Sequence, residues 1–477
     1  MADEEMEPDG LRHRPREMQP ELASARAAVE DDHRPVGGPD LDAGRIPAIA
    51  RRLRPGRGDR STRAPEAQLH ESYSYHNARP EPPLSRPFRQ PVLGQIRARS
   101  RTFPTSVQAA RGPSNRSGPA LPSVGASDKE LRVTAALPPI PTHVMGSHGF
   151  PGWFWTALDK IKAGEYGQTD VKETFDDATQ LAIRDQERAG VDIVCDGEMR
   201  RFFFVQTFYE KMDGLEPVEP LRKTGLYAYD SAPRYRPRQR VKVPKGLGVV
   251  DEFRYLRTQT DKPVKATCPG PVTLSIHVQL RPGDVYGNDR LALCWDFVPA
   301  INAELRALVE AGADYIQLDE PSAAIVPGQI DEYVKMFNAC VEGVRARIAY
   351  HVCFGNLLSR PRGKRSYRWL FPALLDAKCH QFVFEYANRE MAEIDHWKEI
   401  GVDRDVACGV VDVKSFYMES AEDVAERLRL CAKFIPLARL SAVPDCGFFP
   451  VPRWVASEKL KRLVAGTKLA RQQLGLT

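Results

Sequence analysis

The first 128 residues of this 477-residue chain contain no cysteine, no tryptophan and no lysine. They contain instead twenty arginines and seventeen prolines, with scattered alanine, glycine and serine. A segment of this composition buries too little apolar surface to offset the conformational entropy that ordering costs. We therefore predict that residues 1–128 form a disordered tail and that the folded domain covers residues 129–477.

The chain also has no strong excess of charge and no long apolar run. Its net charge of +5 is small for this length, and acidic residues lie among the tail arginines, which argues against nucleic-acid binding. No segment approaches the roughly 20 apolar residues that a membrane-spanning helix requires. The first ten residues, MADEEMEPDG, lack the features of a secretory signal. Nine cysteines spread over a long chain are typical of a reducing compartment, so we expect a cytoplasmic protein without a membrane contact.

From residue 129 onward, short apolar runs rich in β-branched residues alternate with longer amphipathic stretches. Two stretches repeat their apolar residues at helical spacing and end near Gly190 and Gly312, and a third predicts a final helix at the end of the chain. The eight apolar runs cover residues 140–147, 191–198, 264–271, 314–321, 346–353, 380–387, 406–413 and 438–446. This alternation predicts an α/β fold, a (β/α)₈ TIM barrel. An open doubly wound sheet is the alternative, but no glycine-rich phosphate motif follows the first run.

Polar residues end nearly every apolar run, which random placement would seldom produce. In a parallel barrel the active site lies at the carboxyl ends of the strands. The chemically capable residues at the run ends are Ser147, Glu198, Asp319, Glu320, His351, Cys353, Glu385, Asp412, Asp445 and Cys446. We expect the functional site to form there.

The segment YHVCFGN places His351 and Cys353 two residues apart, so on a strand both side chains point to the same side. Taken alone, such a pair is more typical of two core residues. Cys446 and Glu385, however, end two further runs. The four residues supply one imidazole, two thiolates and one carboxylate, a complete set of ligands for tetrahedral zinc.

A catalytic zinc is favoured over a structural one, because these ligands come from separate strands and not from a compact CxxC motif. Thiolate ligands dilute the charge of the ion and make it a weak activator of water. They suit it to holding a substrate thiol as a reactive thiolate. Glu385 would be the ligand that an arriving substrate sulfur displaces most easily.

Eight short motifs resemble, in order, the catalytic barrel of the cobalamin-independent methionine synthase family: THVMGS, CDGEMRR, CPGPVT, YIQLDEP, HVC, FEYA, GVVDVKS and VPDCG. The resemblance runs from about residue 140 to residue 470. The family uses zinc to activate homocysteine and transfers a methyl group to its sulfur. The chain resembles the single-barrel, core type of enzyme, since the 128-residue tail cannot replace the amino-terminal barrel of the full-length type.

The resemblance implies roles for individual residues. It makes the zinc ligands His351, Cys353, Glu385 and Cys446. It assigns Asp319 and Glu198 to the amino group of homocysteine and the backbone of Ser147 to its carboxylate. The alternatives are that Asp319 caps the following helix and that Glu198 pairs with Arg200 or Arg201.

Two positions depart from the family pattern. His277 stands where the full-length enzymes have a tryptophan on which the folate ring stacks, and Lys414 stands where they have a histidine that donates a proton. We predict a catalytic role for Lys414, with a structural ion pair to Asp412 as the alternative. Folate is therefore in doubt as the methyl donor, and a corrinoid protein, which core-type relatives use, is a candidate.

Three functions follow from these observations. The favoured one is zinc-dependent methyl transfer to homocysteine. The second is an epoxyalkane to coenzyme M transferase with the same zinc-thiolate chemistry, and the third is a non-catalytic zinc-stabilised barrel that binds a small thiol or a protein. The insertion at residues 225–248 is a solvated β-hairpin or a lid for an anionic substrate group, since cations recur at every second position from Arg234 to Lys242.

Overall fold

The computed structural model describes residues 137–476, apart from residues 203, 219–233, 327–328, 357–364 and 450. The tail predicted at residues 1–128 lies outside these described residues. Within the described part, no helix combines the length and the apolar character that crossing a bilayer requires.

The strands of the described part are, in chain order, β1 (Asp213–Val218), β2 (Arg234–Lys242), β3 (Ala266–Pro269), β4 (Tyr315–Asp319), β5 (Arg347–Val352), β6 (Gln381–Phe384), β7 (Asp405–Val411) and β8 (Leu440–Pro444). The six strands from β3 to β8 are parallel and form one sheet in which neighbours along the chain are also neighbours in space. A sheet in which each strand adds next to the preceding one is the wall of a β/α barrel.

Two short segments close this sheet into a ring. Residues 142 and 143 pair in parallel with β8 and with residue 193, and residue 194 pairs with residue 264 just before β3. Eight strand positions thus surround the barrel, and the predicted TIM-barrel fold is confirmed. The first two predicted strands are present only as isolated bridges, and next to them the carboxylate of Asp192 accepts the backbone N–H of Thr142 at 2.8 Å.

The α-helices of the described part are α1 (Gly152–Lys162), α2 (Gln168–Ala189), α3 (Gln206–Tyr209), α4 (Val249–Gln259), α5 (Pro271–Leu274), α6 (Arg290–Glu310), α7 (Ile330–Cys340), α8 (His396–Ile400), α9 (Ala421–Cys431) and α10 (Arg453–Gln473). Three of them, α2, α6 and α10, confirm the predicted helices. Helix α2 ends as predicted at Gly190, whose φ of 85° lies in the left-handed region that glycine adopts at little cost. Helix α6 begins where the Asp289 side chain accepts the backbone N–H of Ala292.

Alternation along the strands decides which side chains reach the barrel interior. Ala349 of β5 and Val383 of β6 belong to a small apolar cluster inside the barrel. Because residues two apart on a strand share one side, His351 and Glu385 also point inward, one step closer to the carboxyl ends. The barrel therefore presents these two side chains at its catalytic face.

Strands β1 and β2 pair as an antiparallel hairpin, which supports the hairpin interpretation of the insertion. Residues 219–233 of this region lie outside the described part. Three arginines of β2 pair with carboxylates of the protein: Arg236 with Asp284, Arg238 with Glu216 and Arg240 with Asp296. These three charges are therefore matched within the protein and not available to an anionic substrate.

Helices α9 and α10 approach closely at Gly466, and this contact gives a test of the packing. A methyl group at Gly466 would lie 2.7 Å from the carbonyl oxygen of Ala421. We expect Gly466→Ala to lower the free energy of unfolding by about 1–3 kcal/mol, because overpacking outweighs the roughly 1 kcal/mol of helix propensity that alanine adds. Urea denaturation measures the change. The control is the exposed Ala465→Gly, for which propensity alone predicts a loss of about 1 kcal/mol; a stabilised Gly466→Ala would contradict the packing.

Candidate metal centre

The structure brings three of the four predicted metal ligands together. The ligand atoms of His351, Cys353 and Cys446 all lie within 4.8 Å of one another, and the two sulfur atoms are 3.6 Å apart. Nε2 of His351 is buried and has no hydrogen-bond partner. A free imidazole nitrogen between two thiols is a donor set typical of zinc, so the residues fit the ion that the resemblance implies.

The imidazole of His351 is oriented by Asp319. Its Nδ1 lies 2.7 Å from Oδ1 of Asp319, and the same oxygen accepts a hydrogen bond of 2.6 Å from Nε2 of Gln317. With Nδ1 donating to Asp319, Nε2 is the nitrogen left to offer its lone pair to a metal once its proton is released. Asp319 is thus bound to His351 and does not cap the short helix Pro321–Ala324, so that alternative is wrong.

Protons are distributed unequally over the three ligands. Hydrogen bonding from Cys353 and the charge of His351 lower the pKa of Cys446 well below its usual value, whereas burial raises the pKa of Cys353. Against the effect of burial, Asp319 and the Cys446 thiolate raise the pKa of His351 to about 9. The protons on His351 and Cys353 occupy the lone pairs that a metal needs, so metal binding must release them.

Glu385, the fourth predicted ligand, lies outside the three-residue group and is paired with Lys414. Nζ of Lys414 is 2.6 Å from Oε2 of Glu385, and both side chains are almost completely buried. The backbone N–H of Phe354 donates to the same oxygen at 3.2 Å, while Oε1 is buried without a partner. Against the effect of burial, Glu385 raises the pKa of Lys414, so the amine stays charged near neutral pH.

The alternative that Lys414 forms an ion pair with Asp412 is wrong. Asp412 accepts the backbone N–H of Lys414 at 2.7 Å, but the ammonium reaches Glu385. The raised pKa favours an orienting cation over a proton donor.

A cavity of about 360 Å³ opens beside the three-residue group. His351 and Cys446 line it together with the three residues predicted to bind the substrate, namely Ser147, Glu198 and Asp319. Oδ2 of Asp319 is buried and has no partner. The apolar part of the lining consists mainly of Met145, Phe204, Val205, Ile276, Ile325, Val326 and Phe449. The predicted metal ligands and the predicted amino-acid ligands thus share one cavity.

Glu198, in the cavity wall, forms a buried ion pair with Arg201. Arg201 and Thr267 donate hydrogen bonds of 2.9 Å and 2.8 Å to its Oε1. Arg201 is thus one of the two partners predicted for this carboxylate, whereas Arg200 pairs with Asp176. Burial raises the pKa of Glu198 to about 8 despite the arginine.

Ser147 and Asn356 join the loops around Cys446. The carbonyl oxygen of Ser147 accepts the backbone N–H of Phe448 at 2.7 Å. Nδ2 of Asn356 donates to the carbonyl oxygen of Gly447 at 2.8 Å, which ties the loop after Cys353 to the loop after Cys446. Sequence reasoning missed Asn356, although it stands three residues after a predicted ligand.

His277 lies in the cavity lining. By the resemblance, it stands where the full-length enzymes have the tryptophan on which the folate ring stacks. Its Nδ1 is 3.3 Å from a guanidinium nitrogen of Arg234, and its ring meets Tyr209 edge to face. The ring is therefore engaged by its neighbours at one side of the cavity.

Asp445 supports the loop that carries Glu385, a role that sequence reasoning also missed. Its Oδ1 accepts the backbone N–H groups of Tyr386 and Ala387 at 2.9 Å each, and its Oδ2 accepts that of Asn388 at 2.6 Å. A single buried carboxylate thus satisfies three backbone donors beside the metal group.

A closed β/α barrel with a thiol–imidazole group and a ligand-sized cavity at the carboxyl ends of its strands defines a class, the TIM-barrel enzymes. The profile of the family described as "Cobalamin-independent synthase, Catalytic domain" matches residues 140–469. The chain belongs to this family, as its motifs predicted. Family membership makes it a methyltransferase of the methionine synthase type.

Individual relatives agree. The chain is 32% identical over 340 residues to the methionine synthase of Saccharolobus solfataricus, an alignment that covers 71% of this chain and 97% of the relative. It is 31% identical over 339 residues to the methionine synthase of Thermococcus kodakarensis, covering 71% of this chain and 95% of the relative.

Two solved structures are similar. A B12-independent methionine synthase from Shewanella sp. W3-18-1, in complex with selenomethionine, has a TM-score of 0.60 and 28% identity and covers 71% of this chain and 100% of its own. A putative B12-independent methionine synthase from Listeria monocytogenes has a TM-score of 0.52 and 20% identity, covers 70% of this chain and 99% of its own, and supports the fold alone.

The three hydrogen bonds to Asp445 give a test of how the site is held. In Asp445→Asn the amide oxygen can still accept from Tyr386 and Ala387, but the amide nitrogen then faces the N–H of Asn388. We expect the free energy of unfolding to fall by about 1–3 kcal/mol, the cost of an unsatisfied buried donor. The control is Asp403→Asn, which removes the charge of an exposed carboxylate paired with Arg404 and is expected to cost about 0.5 kcal/mol or less. Equal denaturant midpoints for the two variants would contradict this role.

Proposed function

We propose that this protein is a zinc-dependent methyltransferase that transfers a methyl group to the sulfur of homocysteine and so forms methionine. One observation carries the proposal: the imidazole and thiols of the metal group border the same cavity as the carboxylates of Asp319 and Glu198. A zinc ion held by His351, Cys353 and Cys446 would keep a bound thiol deprotonated near neutral pH.

The remaining side chains bind and orient the amino acid. Asp319, through its unpartnered Oδ2, and Glu198 receive the ammonium group, and the backbone of Ser147 receives the carboxylate. Burial strengthens these charge-assisted hydrogen bonds. With the amino acid fixed at its head, its sulfur would lie beside the metal group, and a donor at the apolar part of the cavity would present its methyl carbon in line with the sulfur. The bond between sulfur and methyl carbon forms as the bond between methyl carbon and donor breaks, and the demethylated donor leaves with the electron pair of the broken bond.

Homocysteine is favoured over coenzyme M as the acceptor because of the charge of the cavity. Coenzyme M carries a sulfonate and no amino group, and the buried carboxyl groups of Asp319 and Glu198 offer a sulfonate no positive charge. An ammonium group is matched by the same carboxylates. Family membership also argues against the third alternative, a barrel that only binds.

The proposal includes a methyl donor other than folate, with a corrinoid protein as the candidate. The support is that His277, which the resemblance aligns with the tryptophan of the folate platform, lies in the cavity lining. All nine cysteines are free thiols, which supports a reducing compartment, and the proposal assigns the reaction to the cytoplasm.

The zinc site is tested by metal content. We expect the purified protein to retain about one zinc per chain and Cys446→Ala to lose it on dialysis, with a fall in affinity larger than the roughly 10–100-fold that loss of an outer-shell partner causes. Elemental analysis and chelator competition measure both. Cys294→Ala, which removes a buried thiol of helix α6, is the control and should keep its zinc. Full zinc occupancy in Cys446→Ala would refute the ligand set.

The ammonium site is tested by the pH dependence of methionine binding, because methionine has no thiol proton to release. The pKa of Glu198 is about 8 in the free protein, so below pH 8 its carboxyl group is protonated and must lose that proton to bind an ammonium group. We expect methionine affinity to rise with pH from 6 to 8, by up to about tenfold per unit, with release of a proton.

Calorimetry in two buffers of different ionisation enthalpy measures that proton release. Glu198→Gln should bind methionine more weakly and without the pH dependence. Binding that is equally strong at pH 6 and pH 8 would contradict the assignment of Glu198 to the amino group.

A further inference from the structure

The ion pair between Lys414 and Glu385 is buried next to the metal group but is not part of it. Its two charged atoms are 2.6 Å apart, and the side chains are 1% and 0% exposed. The three other predicted ligands form their group without Glu385. The structure therefore groups three of the four candidate ligands and pairs the fourth with a lysine.

A buried carboxylate needs a compensating charge, and two are within reach of Glu385. One is the ammonium of Lys414, and the other is a cation held by His351, Cys353 and Cys446. Oε2 is fixed on the lysine side by Lys414 and by the backbone N–H of Phe354 at 3.2 Å. Oε1 is buried and unpartnered, so it is the atom left for a second interaction. The two compensating charges thus compete for one carboxylate.

The position of Lys414 is set from outside the site. Its backbone N–H is held by Asp412, whose own N–H donates to Oε1 of Glu419 at 2.7 Å. Glu419 in turn pairs with Lys459 of helix α10 at 2.9 Å, and both side chains are completely buried. The ammonium is therefore presented on a supported loop and does not depend on Glu385 for its location.

We infer that Lys414 is a positioning residue that holds Glu385 away from the metal group and so keeps the fourth coordination position open for the sulfur of the substrate. This inference rests on the proposed function and deepens it. Whenever a thiol takes the fourth position, the carboxylate has a preformed partner, so the exchange leaves no unpaired charge in the protein interior.

The test compares zinc affinity with homocysteine affinity in Lys414→Met, measured on the full chain by chelator competition and by calorimetry of the zinc-loaded protein. In this variant Glu385 has lost its ammonium partner, and a cation at the metal group would compensate the charge of its carboxylate in place of the lysine. We expect zinc to bind at least as tightly as in the wild type and homocysteine to bind on the order of 10–100-fold more weakly. A merely structural lysine would, on removal, weaken both.

Two further variants control the comparison. Lys414→Arg keeps the cation and should bind homocysteine nearly as the wild type does. Lys414→Met combined with Glu385→Gln removes both charges, so no carboxylate has to be displaced, and homocysteine affinity should return to within a few-fold of the wild type. The double variant also keeps the test open if Lys414→Met alone does not fold.

Three outcomes would overturn the inference: a folded Lys414→Met that binds zinc more weakly than the wild type, unchanged homocysteine affinity in that variant, or a double variant that stays as weak as the single one. Failure of the proposed function looks different. In that case the wild type binds zinc but not homocysteine, and the zinc affinities of wild type and Lys414→Met still decide the role of Lys414.

Discussion

One hydrogen bond, 2.7 Å between Nδ1 of His351 and Oδ1 of Asp319, joins the two halves of the site. It uses one nitrogen of the imidazole and one oxygen of the carboxylate, and it leaves Nε2 and Oδ2 buried without partners. The bond between Nδ1 and Oδ1 fixes the orientation of both side chains and so sets the directions in which Nε2 and Oδ2 point. Gln317 restrains the carboxylate further by donating a hydrogen bond to Oδ1. Under the proposed function, occupation of either free atom would stabilise the geometry that the other one needs, so this bond would couple metal binding to amino-acid binding.

The buried acidic groups around this bond are paired with cations, but not all of them have a cation of their own. Burial penalises the charged form of a group that lacks one. Glu385 has its own buried ammonium in Lys414. Glu198 shares Arg201 with Glu252, which lies 2.7 Å from the guanidinium, so one cation serves two carboxylates. One acidic group is thus left without a cation of its own; a proton on Glu198 balances it near neutral pH, and a positively charged substrate group can replace that proton.

The alternation of side chains along the strands made much of the site predictable. The suggested partner of Lys414 was wrong because the alternation is interrupted in β7. His351 and Cys353 follow from one strand of regular geometry. Simple alternation through β7 would turn Val413 inward and Lys414 outward, but the register of β7 shifts between Gly409 and Val411, and Lys414 points inward instead. Sequence proximity then suggested the wrong partner for Lys414. Side-chain pairing across neighbouring strand ends depends on such local irregularities, which a hydrophobic pattern does not record.

The same irregularity bears on how the site can exchange ligands. Under the proposed function, two thiolates and a neutral imidazole would leave a divalent ion without net charge, and a fourth anionic ligand would bring the total to minus one, whether it were a carboxylate or a substrate thiolate. The choice between the two would therefore not change that total. It would depend largely on how well the protein interior stabilises the free carboxylate of Glu385, which pairs with the ammonium that the shifted end of β7 turns toward it.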